Sequence, residues 1–166
     1  MVGPTPTSPK VKKYINYFWN WYEENLHLNI SVAAGLFVWQ LVHLVWLTGD
    51  IVTERLFSGA LFNLSGVWEY LIVVVDYTEI PALITVSLVY INELRRGKDV
   101  FKSILFLILL NSQWLHLFWI TDEFVVSQFG GTVEIILPAW LAWTAITIDY
   151  LELPIMYDTI KKFFQY

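Results

Sequence analysis

The chain has 166 residues, of which 57% are apolar and 15% are charged, and its mean hydropathy is +0.54. Soluble domains usually contain about 45–50% apolar residues, so the composition indicates an integral membrane protein. The absence of cysteine excludes disulfides, Cys-ligated zinc and iron–sulfur clusters. The net charge of −5 says little by itself. The sequence contains no phosphate-binding glycine motif and no basic stripe, which argues against nucleotide chemistry and a nucleic-acid partner.

The N-terminal segment precedes any long apolar run. The first ten residues, MVGPTPTSPK, lack the apolar region of a cleavable signal peptide, so we expect the first apolar segment to remain as a span. The stretch from Lys10 to Asn25 mixes lysine with tyrosine, phenylalanine and tryptophan, which is typical of a helix at a membrane surface. Residues 1–27 are therefore interpreted as a tail and an interfacial helix.

Four apolar segments follow, each long enough to cross about 30 Å of hydrocarbon, which takes roughly 20 helical residues. They are residues 28–49, 66–91, 100–121 and 138–157. The segments between them, 50–65, 92–99 and 122–137, are expected to be loops. Only helices or closed barrels satisfy their backbone in lipid, and runs this long favour helices. The sequence predicts an all-α, multi-pass four-helix bundle, which we assign to a prokaryotic cell membrane.

Basic residues are distributed unequally between the predicted loops. Nine of the ten lie before the first span, around the 92–99 loop or after the fourth span, and only Arg55 lies in a loop on the opposite side. Loops rich in lysine and arginine stay in the cytoplasm. We therefore expect both termini to be cytoplasmic, with the tail after residue 157 lying at the membrane surface.

Two polar motifs recur at a fixed offset of 73 residues. The segment from Gln40 to Thr48, QLVHLVWLT, falls on QWLHLFWIT, and DYTEIP from Asp76 falls on DYLELP from Asp149. The sequence therefore divides into repeat 1, residues 28–93, and repeat 2, residues 100–166. Because each repeat contains two spans, both run in the same direction, which predicts a pseudo-twofold axis along the membrane normal.

The repeated polar residues are predicted to lie inside spans. An unpaired charge at that depth costs at least ~2.5–3.5 kcal/mol on insertion scales, and no lysine or arginine lies in the span cores to compensate. Residues three apart share a helix face, so each D-x-x-E pair points in one direction. The predicted metal ligands are His43, Asp76, Glu79, His116, Asp149 and Glu152. Gln40 and Gln113 are expected to support them by hydrogen bonding to a histidine or to metal-bound water, and Tyr77 and Tyr150 are further supporting residues.

Four carboxylates balance the charge of two divalent cations, so a dinuclear centre would remove most of the burial penalty. Imidazole and carboxylate without thiolate suit iron, manganese or zinc. The ligand set resembles that of soluble di-iron and di-manganese carboxylate bundles, although those place glutamate and histidine on one helix. Pro81 and Pro154 each remove a backbone donor, which predicts a kink beside the acids.

Several functions are compatible with this set. The first is a metalloenzyme, either a di-iron oxidase of a lipid or other apolar substrate or a zinc hydrolase. The second is a divalent-metal or proton transporter, and the third is a structural subunit of a larger membrane complex or oligomer. Two further readings are a polar network that joins the helices without a ligand and haem ligation by His43 and His116.

Overall fold

The computed structural model describes residues 9–59, 61, 67–120 and 139–165, and these residues are helical with no strand among them. The helices are α1 (Pro9–Glu24), α2 (Leu26–Leu47), α3 (Thr53–Phe57), α4 (Val67–Tyr77), α5 (Glu79–Arg95), α6 (Val100–Ile120), α7 (Ala139–Tyr150) and α8 (Leu153–Phe163). Three helical stretches are long and apolar enough to cross a membrane: Leu26–Phe57, Tyr70–Arg95 and Val100–Phe118. The all-helical prediction is confirmed, and so is the presence of membrane-spanning candidates.

The first span does not end at Gly49, so the prediction that a loop begins at residue 50 is wrong. A π-helical turn, Thr48–Val52, joins α2 to α3, and the helix stops only after Phe57. The wider turn disturbs the usual backbone ladder. Two threonine hydroxyls donate to carbonyls four residues earlier, Thr48 to Leu44 at 2.7 Å and Thr53 to Gly49 at 2.5 Å. The Leu44 carbonyl also accepts the backbone N–H of Thr48. Back-bonds of this kind often accompany bends in helices.

The second and fourth apolar segments are each interrupted at the D-x-x-E motif. Helix α4 ends at Tyr77 and α5 begins at Glu79, while α7 ends at Tyr150 and α8 begins at Leu153. Pro81 and Pro154 have no N–H to donate to the carbonyl four residues earlier, which breaks the ladder at this point. The predicted distortion is therefore present in both halves. In the fourth segment it leaves helices of 12 and 11 residues, each too short to span by itself.

Helix α2 lies at the centre of the structure and contacts α1, α4, α5, α7 and α8. Helix α6 packs on α5 and α7. Two of these contacts have a counterpart at a shift of 73 residues along the chain. The contact of α2 with α4 corresponds to that of α6 with α7, and the contact of α2 with α8 corresponds to that of α6 with α5. The fully buried side chains of the core include Ile30, Phe37, Leu83, Val86, Tyr90, Leu110, Ile155 and Met156. This packing encloses the polar residues described below.

A tight turn connects α5 to α6 at one end of the bundle. Gly97 adopts a left-handed conformation with φ of 67°. Its N–H donates to the carbonyl of Leu94, and the N–H of Lys98 donates to that of Glu93. This pattern is the Schellman arrangement that satisfies the last carbonyls of a helix.

A charged cluster lies beside this turn, built around the buried ammonium of Lys162. The ammonium is 2.9 Å from Glu93 and 2.6 Å from Asp158, and it lies 4.0 Å from the centre of the Tyr90 ring. Asp158 also accepts hydrogen bonds from Tyr90 at 3.0 Å and Lys102 at 3.2 Å. The cluster therefore ties α5, α6 and α8 together. We refer to these five residues as the Lys162 cluster.

Replacing Lys162 with methionine should destabilise the protein. The change leaves two carboxylates without their shared buried cation, a loss that typically costs roughly 3–5 kcal/mol. Lys161→Met is the matched control, because Lys161 is the exposed neighbour on the same helix. The measurement is the unfolding midpoint of each variant in mixed micelles titrated with denaturing detergent. Equal midpoints for the two variants would contradict a stabilising role for the cluster.

Asp158 should make stability depend on pH. Burial raises the pKa of this carboxyl, but the hydrogen bond and charge of Lys162 and the bonds from Tyr90 and Lys102 outweigh burial, so the pKa lies below its ordinary value. A depressed folded-state pKa contributes stability above the unfolded-state value, about 3.9 for aspartate, and that stability is lost as pH falls through the folded-state value. Wild type should thus exceed Asp158→Asn in stability at pH 7, with the difference shrinking below about pH 4. A difference that is constant between pH 7 and pH 3 would argue against this assignment.

Candidate metal centre

The helical elements bring the repeated polar residues into one buried region. Two histidines and two glutamines lie on the buried faces of α2 and α6, and the aspartates lie in the last turns of α4 and α7. The glutamates lie at the helix interruptions, with Glu79 opening α5 and Glu152 preceding α8. All eight side chains are buried: Gln40, His43, Asp76, Glu79, Gln113, His116, Asp149 and Glu152.

His43 lies between the two aspartates. Its Nδ1 contacts Oδ1 of Asp76, and its Nε2 is 3.6 Å from Oδ2 of Asp149. The other oxygen of Asp149 is 3.4 Å from Nδ1 of His116. The two imidazole rings face each other edge to face, with their centres 6.1 Å apart. Asp149 therefore joins the histidines of both halves.

The contacts of Asp149 with the two histidines, one through each carboxylate oxygen, are longer than direct hydrogen bonds and are compatible with a bound ion. Distances of 3.4 and 3.6 Å exceed the 2.7–3.2 Å typical of N–H···O bonds. Two ligands held at about 2.0–2.2 Å from a tetrahedral zinc ion lie about 3.4 Å apart. One ligand atom from each of His43, His116 and Asp149 fits within a span of 4.8 Å, so these three buried residues can hold a metal ion.

The glutamates of the two motifs extend this polar region. One oxygen of Glu79 and one of Glu152 are buried without a hydrogen-bond partner among the described residues. Glu79 lies within electrostatic range of Glu152, Asp149 and His43, and Glu152 lies within range of Asp149 and His43. Both nitrogens of His116 likewise lack hydrogen-bond partners in the described part of the chain. Buried acceptors of this kind require a proton, a water molecule or a cation.

The glutamines use their amide nitrogens to hold the helix interruptions. Gln40 donates to the carbonyl of Val75 at 3.0 Å, and Gln113 donates to the carbonyl of Ile148 at the same distance. The acceptors are again 73 residues apart. Each bond ties a histidine helix to the last turn before the break, beside the aspartate of its own half. The expected hydrogen bonds from these amides to histidine or to metal-bound water stay a prediction.

Two threonines that were not predicted as site residues take part in this arrangement, although Thr48 closes the repeated QLVHLVWLT motif. Thr78 accepts a second hydrogen bond from Gln40 at 2.9 Å and donates to the carbonyl of Val75 at 2.6 Å. Thr48 pairs with the hydroxyl of Tyr150 at 2.6 Å, which joins α7 to the π-helical turn. Tyr77, predicted as the counterpart of Tyr150, is half-buried. Thr78 has no equivalent in the second half, where Leu151 occupies its place, so the repeat gave no signal for it.

The two halves differ at the centre of the site. His43 contacts both aspartates, whereas the ion pairs found in the described chain connect His116 to Asp149 only. The sequence motif predicted equivalent halves. This difference makes His43 and Asp149 the residues on which a first ion would be centred. The predicted loop at 122–137, which would bound the site on one side, lies outside the described residues.

No protein-family model matches the chain, and no curated protein or solved structure is significantly similar to it.

Removing one of the glutamine bonds should weaken the fold beside the site. Gln113→Leu removes this hydrogen bond, although the carbonyl of Ile148 keeps the N–H of Leu151, and the net contribution of one such bond is about 0.5–1.5 kcal/mol. Asn111→Leu is the control, because Asn111 lies on the same helix and its hydrogen bonds to Leu107 and Trp114 are exposed. The unfolding midpoint in mixed micelles should fall for Gln113→Leu and stay close to that of wild type for Asn111→Leu. Equal midpoints would show that the bond contributes nothing.

Proposed function

We propose that this chain is a four-span membrane protein built from two parallel repeats around a pseudo-twofold axis. The support is the 73-residue offset, which relates α2 to α6, α4 to α7, and one helix interruption to the other. It also relates the hydrogen bonds of Gln40 and Gln113. On this proposal α7 and the part of α8 up to residue 157 form the fourth span, and α4 and α5 form the second. The excess of basic residues makes both termini cytoplasmic.

The proposed function is binding of divalent metal ions inside the membrane, with a complement of two ions of iron, manganese or zinc. The observation that carries it is the donor spacing around Asp149, which lies 3.4 and 3.6 Å from two histidines. The first ion takes His43, His116 and Asp149, and the second takes the remaining carboxylates Asp76, Glu79 and Glu152. Two divalent cations neutralise the four carboxylates, which offsets the cost of burying them.

We propose further that the centre is catalytic. Three protein ligands at the first position leave room for water or substrate, and catalytic zinc sites keep such an open position whereas structural sites close it. An apolar or lipid substrate would enter from the bilayer. With iron the reaction class is oxidation by O₂, and with zinc it is hydrolysis by an activated water.

A transporter is the second candidate, and the helix interruptions favour it. Secondary transporters place their ion sites at the midplane, on helices that are broken beside the site. Here both D-x-x-E motifs lie at short interruptions, at residue 78 and at residues 151–152, where Thr78 and Glu152 keep right-handed helical dihedrals. The acids would then be a transit site for a divalent cation or a proton, and the same ligands would bind and release the ion.

Metal content tests the shared basis of both candidates. Protein purified in mild detergent should contain about two Fe, Mn or Zn per chain by elemental analysis, because four carboxylates balance two divalent ions. His43→Ala and His116→Ala should each lower that content. His27→Ala is the control, because His27 is exposed near the start of α2 and away from the acids. It should retain the wild-type content.

The outcomes separate the alternatives. Absence of metal in wild type, or unchanged metal in both site variants, would overturn the proposal. A narrow Soret band would indicate haem instead. A visible absorption change on adding O₂ supports oxidation chemistry, whereas metal-dependent flux into liposomes supports transport.

A further inference from the structure

Helix α1 carries an apolar stripe that the rest of the chain does not cover. Val11, Tyr14, Ile15, Phe18 and Trp21 are all exposed, and Tyr14 retains 74% of its accessible surface. Their spacing follows one face of a helix. Tyr22 continues the same stripe but is only 2% exposed, because α1 meets the bundle at that point. The stripe therefore runs from the bundle out into open space.

The chain bends between α1 and α2, so α1 does not simply prolong the first span. The side-chain amide of Asn29 donates to the carbonyl of Tyr22 at 3.1 Å, across seven residues. Seven residues of straight helix rise about 10.5 Å, more than an asparagine side chain can bridge. The bend is centred on Asn25, which separates the two helices and lies outside helical geometry with ψ of 26°.

The C-terminal end of α1 is held against the end of α5. The guanidinium of Arg95 lies 4.1 Å from the centre of the Trp19 ring, and Glu23 is 3.9 Å from both Arg95 and Arg96. These contacts fix one end of α1 at the side of the bundle where the basic residues are concentrated. The first two turns of α1 extend beyond it.

Exposed basic side chains accompany the stripe. Lys10, Lys12 and Lys13 lie on the first turn of α1, and Arg95, Arg96 and Lys98 lie at the end of α5, all of them exposed. An apolar stripe flanked by lysines is the pattern of a helix that lies in the headgroup region of a membrane. Lipid with anionic headgroups complements both parts of this surface, because its acyl chains receive the stripe and its headgroups receive the cations.

We propose that α1 binds the anionic lipid of the leaflet on the basic side of the protein, with Ile15 and its neighbours inserted and Lys10, Lys12 and Lys13 on the headgroups. The inference rests on the proposed membrane topology and is independent of the metal centre. Lipid composition would then control the position of α1. Because Trp19 of α1 contacts Arg95 of α5, a change in the position of α1 would also change the contacts at the end of α5.

The experiment exploits the absence of cysteine from the chain. Single-cysteine variants Ile15→Cys and Asn16→Cys place one thiol on the stripe and one on the opposite exposed face of α1. Each is reconstituted at one copy per nanodisc, either in phosphatidylcholine alone or with one third phosphatidylglycerol. The readout is the rate of reaction with a water-soluble maleimide. In discs that contain phosphatidylglycerol, the thiol at position 15 should react about tenfold more slowly than that at position 16, because lipid shields it.

A charge-neutralised variant separates the contribution of the headgroups. Adding Lys10→Gln, Lys12→Gln and Lys13→Gln to Ile15→Cys should remove the difference between the two lipid compositions, since each basic residue contributes to binding the anionic surface. Equal rates at positions 15 and 16 in phosphatidylglycerol discs would overturn the proposal. If the thiol at position 15 reacts equally slowly in both lipid compositions, the assignment to anionic lipid is wrong. If it reacts slowly only when a disc holds several copies, the stripe is covered by a second chain rather than by lipid. Metal content measured on the same variants should equal that of wild type, so failure here is distinguishable from failure of the metal proposal.

Discussion

Burial of ionisable groups in an apolar bundle is the constraint on which the structure depends. Four carboxylates and two imidazoles lie within the packed helices. The cores of the apolar segments contain no lysine or arginine that could compensate their charge. In so apolar a setting an isolated charge is costly. Hydrogen bonds from the protein satisfy only part of this set, because oxygens of both glutamates remain without a partner among the described residues. A proton, a water molecule or a cation can satisfy these groups, and the spacing of the nitrogen and oxygen atoms at His43, His116 and Asp149 is compatible with a metal ion.

The helix interruptions and the buried site belong together. Each proline removes a backbone donor just beyond an aspartate, and each glutamine then holds the last intact turn through a single carbonyl. The glutamine bonds lie within the turn that contains the aspartate, and the carbonyls that accept them, of Val75 and Ile148, also accept backbone N–H groups from Thr78 and Leu151. The side-chain bonds therefore tie each histidine helix to the interruption of its own half.

At the end of the bundle that carries the α5–α6 turn, partly buried carboxylates are paired with a lysine of the same chain. There Lys162 provides the cation that the centre lacks, and it pairs with Glu93 and Asp158 at hydrogen-bonding distance. The Lys162 cluster contains its own cations and ties three helices. The two polar regions of the molecule differ in this respect: one contains carboxylates and the ammonium groups that pair with them, whereas the other contains carboxylates and imidazoles with no lysine or arginine among its described residues.

The sequence by itself determined the helical class and three apolar segments able to span, and it predicted the residues of the candidate site and the distortion at each proline, because periodicity, length and the loss of a backbone donor are local properties. It did not determine that helix continues beyond α2 through a π-helical turn to Phe57, since the apolar pattern does not distinguish a widened helical turn from a helix end. It also did not reveal Thr78 or the inequality of the two halves. Which oxygen of Asp149 faces which histidine is decided by how α2, α6 and α7 pack. Distances between helices follow from the packing of every side chain between them, and a motif that repeats along the chain carries no information about them.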